Sequence, residues 1–237
     1  GGNVHGVSFA TRYPGTYVIS VSVKTSNDDG GGGGGGGGGS DETMETIEAL
    51  VDVVENYAHP SNSGRWTQVL ALFLQGLVKY ARKRMGSKKH PPLSDAVVDR
   101  FVRCAMRLVD KGMYSKNSTM RHVSSSAAGQ LAYVRPDVVL PFVMGRFMEA
   151  VEHSTATHQL NAALAVLTSC LRPMLLAPPE SFDPEAGVPP PAQYLAATLD
   201  ATLPGIDAND PSKTLCTIRL YVAVVSNVSC LADPGDE

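Results

Sequence analysis

From Asp41 onward the apolar residues of this chain recur every three to four positions, the spacing of one helix face. Ile47, Leu50, Val51, Val54 and Tyr57 form the first stripe. After His59 and Pro60, a second stripe runs through Trp66, Val69, Leu70, Phe73, Leu77, Tyr80 and Ala81. Ser94 stands at an N-cap position before Val97, Val98, Phe101, Val102, Ala105, Leu108 and Val109. Met120, Val123, Ala127, Leu131 and Val134 give a fourth stripe. Pro136 opens a fifth helix at N1, where a missing N–H costs nothing, and Val139, Leu140, Val143, Phe147 and Val151 follow. Leu160, Leu164, Leu167 and Leu171 mark a sixth. Beyond a proline-rich break over Ala177–Pro191, Leu195 and Leu199 lie on a short seventh helix. The eighth, entered at Pro211, is expected to bury Leu215, Ile218, Val222 and Val225.

Eight helices in four pairs are the result. The pairs begin near 43, 95, 137 and 191, a repeat of about 40–55 residues that fits HEAT-like or armadillo-like pairs. One pair cannot bury its own apolar face, and stacking makes a continuous core. The predicted fold is therefore all-α, an α-solenoid of HEAT-like helix pairs over residues 41–230, with a single all-α globule as the rival.

The first 40 residues read differently. In "GTYVISVSVKTS" the alternation has period two, a strand signal, and Val7 to Ala10 is the available partner across Tyr13-Pro14-Gly15. An isolated hairpin is marginal in water, so residues 1–29 are expected to be strand-like or weakly ordered. Gly30 to Gly39 is unbroken glycine, which makes 30–40 a flexible linker. No Lys follows at the spacing a phosphate-cradling loop needs. Residues 231–237 read as a disordered tail.

Composition narrows the function classes. Hydrophobic residues make up 43% of the 237 and can form a real core. The net charge of -3 and 6% aromatics give neither a basic field nor a base-stacking surface, so no direct nucleic-acid partner is expected. No uninterrupted apolar run approaches the roughly 20 residues of a membrane span, and no membrane partner is expected. Cys104, Cys170, Cys216 and Cys230 are spread singly, which suits reduced thiols better than a disulfide framework.

No arrangement carries chemistry. Ser124, Ser125 and Ser126 beside His122 fall inside a helical stripe, without the shaped turn a nucleophile needs. His153 and His158 are five apart and lack further ligands, so no catalytic residue, metal or cofactor is assigned. "LPGIDANDPSKT" (203–214) begins like a calcium loop, but Pro211 and Lys213 fall on ligand positions and Ile218 stands where the bidentate Glu belongs. It reads instead as a helix stop at Pro204-Gly205, an Asp210 N-cap and Pro211 at N1. The remaining candidate is "ARKRMGSKK", where Arg82, Lys83, Arg84, Lys88 and Lys89 could bind an anion or a partner. Its plainer reading is cations at a helix C-terminus.

Four blocks carry a resemblance: "HPSNSGRWT" (59–67), "MYSKNS" (113–118), "LAYVRPDVVLPFV" (131–143) and "LPGIDANDPSKTLCT" (203–217). In this order and spacing they resemble the middle region of the giant HEAT-repeat proteasome activators, the proteasome activator complex subunit 4 family. The residues that carry the likeness include His59, Pro60, Gly64, Trp66, Ser115, Lys116, Arg135, Pro136 and Pro141, and later Pro204, Gly205, Asp207, Asn209, Asp210 and Lys213. The resemblance implies a segment of a longer, ATP-independent activator that docks on the α-ring of the 20S proteasome core particle. It implies action in the nucleus and cytoplasm, a link to DNA repair, and acetylated-histone recognition through a region outside this chain. It also implies inositol polyphosphate sites in the full-length family, none placed here. The family's hydrophobic–Tyr–any C-terminal anchor has no counterpart in the closing "DPGDE". The alternative is a generic HEAT-repeat adaptor with unrelated partners.

Overall fold

The computed structural model describes residues 4–13, 16–23, 38–62, 64–152, 156–178, 180, 193 and 195–228. Two strands come first: β1 (Val4–Tyr13) pairs antiparallel with β2 (Thr16–Val23), with Val7 opposite Val21 and Phe9 opposite Ile19. Among the described residues eight α-helices follow: α1 (Gly38–Val54), α2 (Arg65–Met85), α3 (Asp95–Gly112), α4 (Ser118–Ala132), α5 (Pro136–Glu152), α6 (Thr157–Leu176), α7 (Leu195–Thr202) and α8 (Pro211–Asn227). Helix α1 starts at Gly38, inside the stretch the sequence assigns to a glycine linker.

The helices form two layers. In one, α1 packs on α3 and α3 on α5; in the other, α2 packs on α4, α4 on α6 and α6 on α8. The layers are joined within pairs, α3 to α4 and α5 to α6, and between pairs where α4 meets α5. This is the stacked-pair architecture of a solenoid, with one continuous core running from Met44 to Val224.

Local chemistry sets the helix ends. The Ser94 hydroxyl accepts from Val97 N–H at 3.4 Å and starts α3. Asn117 Oδ1 accepts from Met120 N–H at 3.1 Å and starts α4. Helix α2 stops at Gly86, and Arg82, Lys83 and Arg84 in its last turn favour the negative end of its dipole.

Helix α6 is the central element, packed against α4, α5 and α8. It is apolar on several sides because it has neighbours on several sides. By length and hydropathy it is the one described helix that could cross a membrane, and more than half of its apolar window is buried within the protein.

On two helices the buried face differs from expectation. On α8 the predicted stripe is exposed, from 44% at Ile218 to 64% at Val225, while Thr217, Leu220 and Val224 face the core. On α2 the buried set is Thr67, Leu70, Ala71, Leu74 and Val78, with Trp66 and Tyr80 exposed. Both helices are apolar on two sides. Periodicity selects the more hydrophobic side, whereas the neighbour actually present selects the buried one.

Candidate functional site

The four resemblance blocks are joints between helices. In the first, Gly64 is the N-cap of α2, and Thr67, fully buried, donates its hydroxyl to Asn62 O at 3.2 Å. Ser61 N–H donates to His59 Nδ1 at 3.3 Å, which leaves that nitrogen an acceptor for the Ser61 hydroxyl at 2.7 Å. The first joint meets the second through Lys116 N–H, which donates to Pro60 O at 3.4 Å. Ser115 is buried, and Arg121 clamps this second turn by donating to Ser115 O at 2.7 Å and Lys116 O at 3.0 Å.

At the third joint Arg135 grips Asp137 with two parallel bonds of 2.9 and 2.6 Å and reaches Asp99 on α3 at 3.1 Å. This fixes the start of α5 at Pro136 against the preceding pair. Pro141 sits one turn in, and its missing N–H leaves the Asp137 carbonyl without its usual helical donor. The guanidinium holds the Asp137 carboxyl below its ordinary pKa, mainly through these hydrogen bonds. A depressed folded pKa means stability that is full above the unfolded value near pH 4 and is lost as pH falls through the folded value. Asp137→Asn should therefore lower the melting temperature at pH 7, and its deficit should shrink steadily below pH 4, as thermal melts across pH would show.

The fourth joint contains "LPGIDANDPSKT". Leu203–Gly205 forms a 3-10 turn after α7. Gly205 is buried where an added Cβ would lie 2.3 Å from Thr217 Oγ1 of α8, so only glycine permits this approach. Asp207 Oδ1 accepts from Asn209 N–H at 2.8 Å, an Asx-turn. Thr214 Oγ1 donates to Asp207 O at 2.7 Å and accepts from Asp207 N–H at 2.9 Å. Asp210 Oδ1 accepts from Lys213 N–H at 2.9 Å and caps α8. The acidic side chains are engaged with backbone. Asp210→Ala should cost about 1 kcal/mol, measurable by urea unfolding.

The basic cluster does not converge on one point. Arg82 donates to Gln130 Oε1 on α4 at 3.3 Å, whereas Arg84 donates to Pro91 O of its own loop at 2.9 Å. Lys83, Lys88 and Lys89 are exposed. Among the described residues no group of three or more His, Cys, Asp or Glu could hold a metal ion, and His153 lies outside them. Burial pushes the Cys104 thiol up to about 11 and the Cys170 thiol up to about 12, so neither is poised as a nucleophile.

An ion-pair ladder that none of the sequence motifs marks runs across α1, α3 and α5. Arg100 binds Glu48 at 2.6 Å and Asp41 at 3.4 Å. Arg107 binds Asp52 at 2.7 Å and Glu55 at 2.6 Å. On the next step Arg146 of α5 takes Asp110 with two bonds of 2.9 Å, and its guanidinium lies 5.4 Å from the Phe142 ring centroid. Each exposed pair stabilises by only about 0–1 kcal/mol, so the ladder sets the register of stacked pairs more than it holds them together. The signal that could have found it is spacing: Arg100, Arg103, Arg107 and Lys111 recur at helical intervals on α3, matching Asp41, Glu48, Asp52 and Glu55.

Comparison with known proteins accords with this architecture. Residues 47–232 match the family described as proteasome activator complex subunit 4, mid HEAT repeats region. Proteasome activator subunit 4 of Arabidopsis thaliana is 37% identical over 205 residues, covering 81% of this chain and 11% of that protein. Proteasome activator complex subunit 4 of Homo sapiens is 29% identical over 199 residues, covering 79% of this chain and 10% of that protein. Subunit 4B of Danio rerio is 29% identical over 204 residues, with shares of 81% and 11%. The chain thus spans about a tenth of the length of the curated relatives it matches. With four joints, two stacked layers and a match over most of its length, the chain belongs to the proteasome activator complex subunit 4 family, in its mid HEAT-repeat region.

Proposed function

We propose that this chain is a shell segment of an ATP-independent proteasome activator. The whole protein binds the α-ring of the 20S core particle and promotes gate opening and peptide hydrolysis. The observation that carries this reading is the family match over residues 47–232. The stacked pairs support it: a solenoid offers a long surface and conducts shape from repeat to repeat, with no reactive centre required. Activation is then binding. Contacts made with the open gate and not the closed one shift the gating equilibrium toward opening. The segment carries no reaction of its own and takes no cofactor.

The finer expectations follow from the resemblance alone. They are residence in nucleus and cytoplasm, a part in DNA repair, and, elsewhere in the longer protein, sites for acetylated histones and inositol polyphosphates.

Affinity purification of the tagged full-length gene product should bring down intact 20S core particles in the absence of nucleotide. Recovery of other partners without any core particle would favour an unrelated HEAT-repeat adaptor and overturn the proposal.

A further inference from the structure

The two layers differ sharply in charge. Helices α2, α4, α6 and α8 carry nine Lys or Arg residues and not one Asp or Glu. Helices α1, α3 and α5 of the other layer each carry acids. Among the described residues every ion pair involves α1, α3, α5 or the short segments bordering them. The cations of the α2/α4/α6/α8 layer have no described carboxylate within 4 Å. Where they bond, they use neutral partners: Arg82 the Gln130 amide oxygen, Arg121 two backbone carbonyls. In a chain whose net charge is -3, this separation leaves one layer with a positive field that the whole molecule does not have.

The layer is not purely polar. On α2, Leu72 is 56% exposed and Tyr80 66%, interleaved with exposed Lys79, Arg82 and Lys83. On α6, exposed Arg172 is followed one turn on by Leu176 at 63%. A phosphate backbone calls for dense cations and base-stacking rings. Outside the dense last turns of α2 the cations stand apart, one each on α4 and α6 and two on α8, among exposed aliphatic side chains such as Leu176, Leu215 and Ile218. That pattern complements a polypeptide that alternates carboxylates with apolar residues.

We propose that the α2/α4/α6/α8 layer is a docking surface for acidic, amphipathic polypeptide segments, the partner being a protein chain. The inference rests on charge and exposure and does not depend on binding to a core particle.

The test is fluorescence anisotropy with the full chain and three probes. These are a labelled 20-residue peptide of Glu with Leu at every fourth position, the same peptide with Glu→Gln, and a single-stranded 20-nucleotide DNA. The acidic peptide should bind at least tenfold tighter than its Gln counterpart and more tightly than the DNA. Its affinity should fall at least tenfold in the triple variant Lys79→Glu, Lys83→Glu, Arg172→Glu, and be unchanged or tighter in Glu42→Gln, Glu45→Gln of the opposite layer. If circular dichroism shows that the reversal variant has lost helix, the neutral set Lys79→Gln, Lys83→Gln, Arg172→Gln decides, with a loss of at least threefold expected. Equal binding of the Gln peptide, tighter binding of the DNA, or full affinity in a folded charge variant would overturn the proposal.

Discussion

Phe147→Ala should lower the unfolding free energy by about 3–5 kcal/mol, the range for deleting a fully buried aromatic ring. The Phe147 side chain is 0% exposed and belongs to the core between the layers. Its neighbours on the same helix face, Val139, Leu140 and Val143, are also buried, so little can move in to fill the space. The loss compares with the whole stability of an ordinary domain, about 5–15 kcal/mol. Urea unfolding followed by far-ultraviolet circular dichroism would read it as a shifted midpoint. An unchanged midpoint would mean that α5 does not pack as described.

Gly129→Ala adds one methyl group and should still cost about 1–3 kcal/mol, the usual penalty for overpacking. An added Cβ would lie 2.4 Å from the backbone carbonyl oxygen of Ser169 on α6 and 3.1 Å from its carbon. A flexible side chain could swing aside; a backbone carbonyl within α6 cannot. Helices α4 and α6 must therefore separate, and the strain falls on the layer that runs from α2 to α8. The matched control is Gly145→Ala on α5, where the added Cβ meets nothing within 4 Å. That change should be neutral or stabilising, since alanine restricts the unfolded chain more than glycine. Equal melting temperatures for the Gly129 and Gly145 variants would contradict the close approach of α4 and α6.

Where a helix has one apolar face, the sequence located it well. On α3 the expected residues Val97, Phe101, Val102, Ala105, Leu108 and Val109 are buried and Val98 is half-buried, with Cys104 and Met106 joining them in the core. On α8 it failed, because Leu215, Ile218, Val222 and Val225 form the stronger stripe while Thr217, Leu220 and Val224 meet α6. The strength of an apolar stripe says what a face could bury, and tertiary partners decide what it does bury. The Asp210 cap of α8 could be seen in the chain because it is local, between residues three apart. The bond from Lys116 to Pro60 could not, since it joins two loops far apart in the chain. For the ion pair from Arg100 to Glu48 the spacing of the arginines marks a charged face on α3, and only the packing of α1 on α3 says which acid each one meets. The basic run at 82–89 drew attention as a cluster. In space Arg82 and Arg84 turn to different partners, and the broader charge pattern belongs to alternate helices scattered through the sequence.

Hydrolysis of a short fluorogenic peptide by purified 20S core particles, without nucleotide, tests the central claim most directly. Adding the full-length gene product should raise the rate several-fold in a saturable manner. Core particles whose gate is already held open should show little further increase. An unchanged rate at saturating concentrations, with closed-gate particles shown to be otherwise active, would contradict the account.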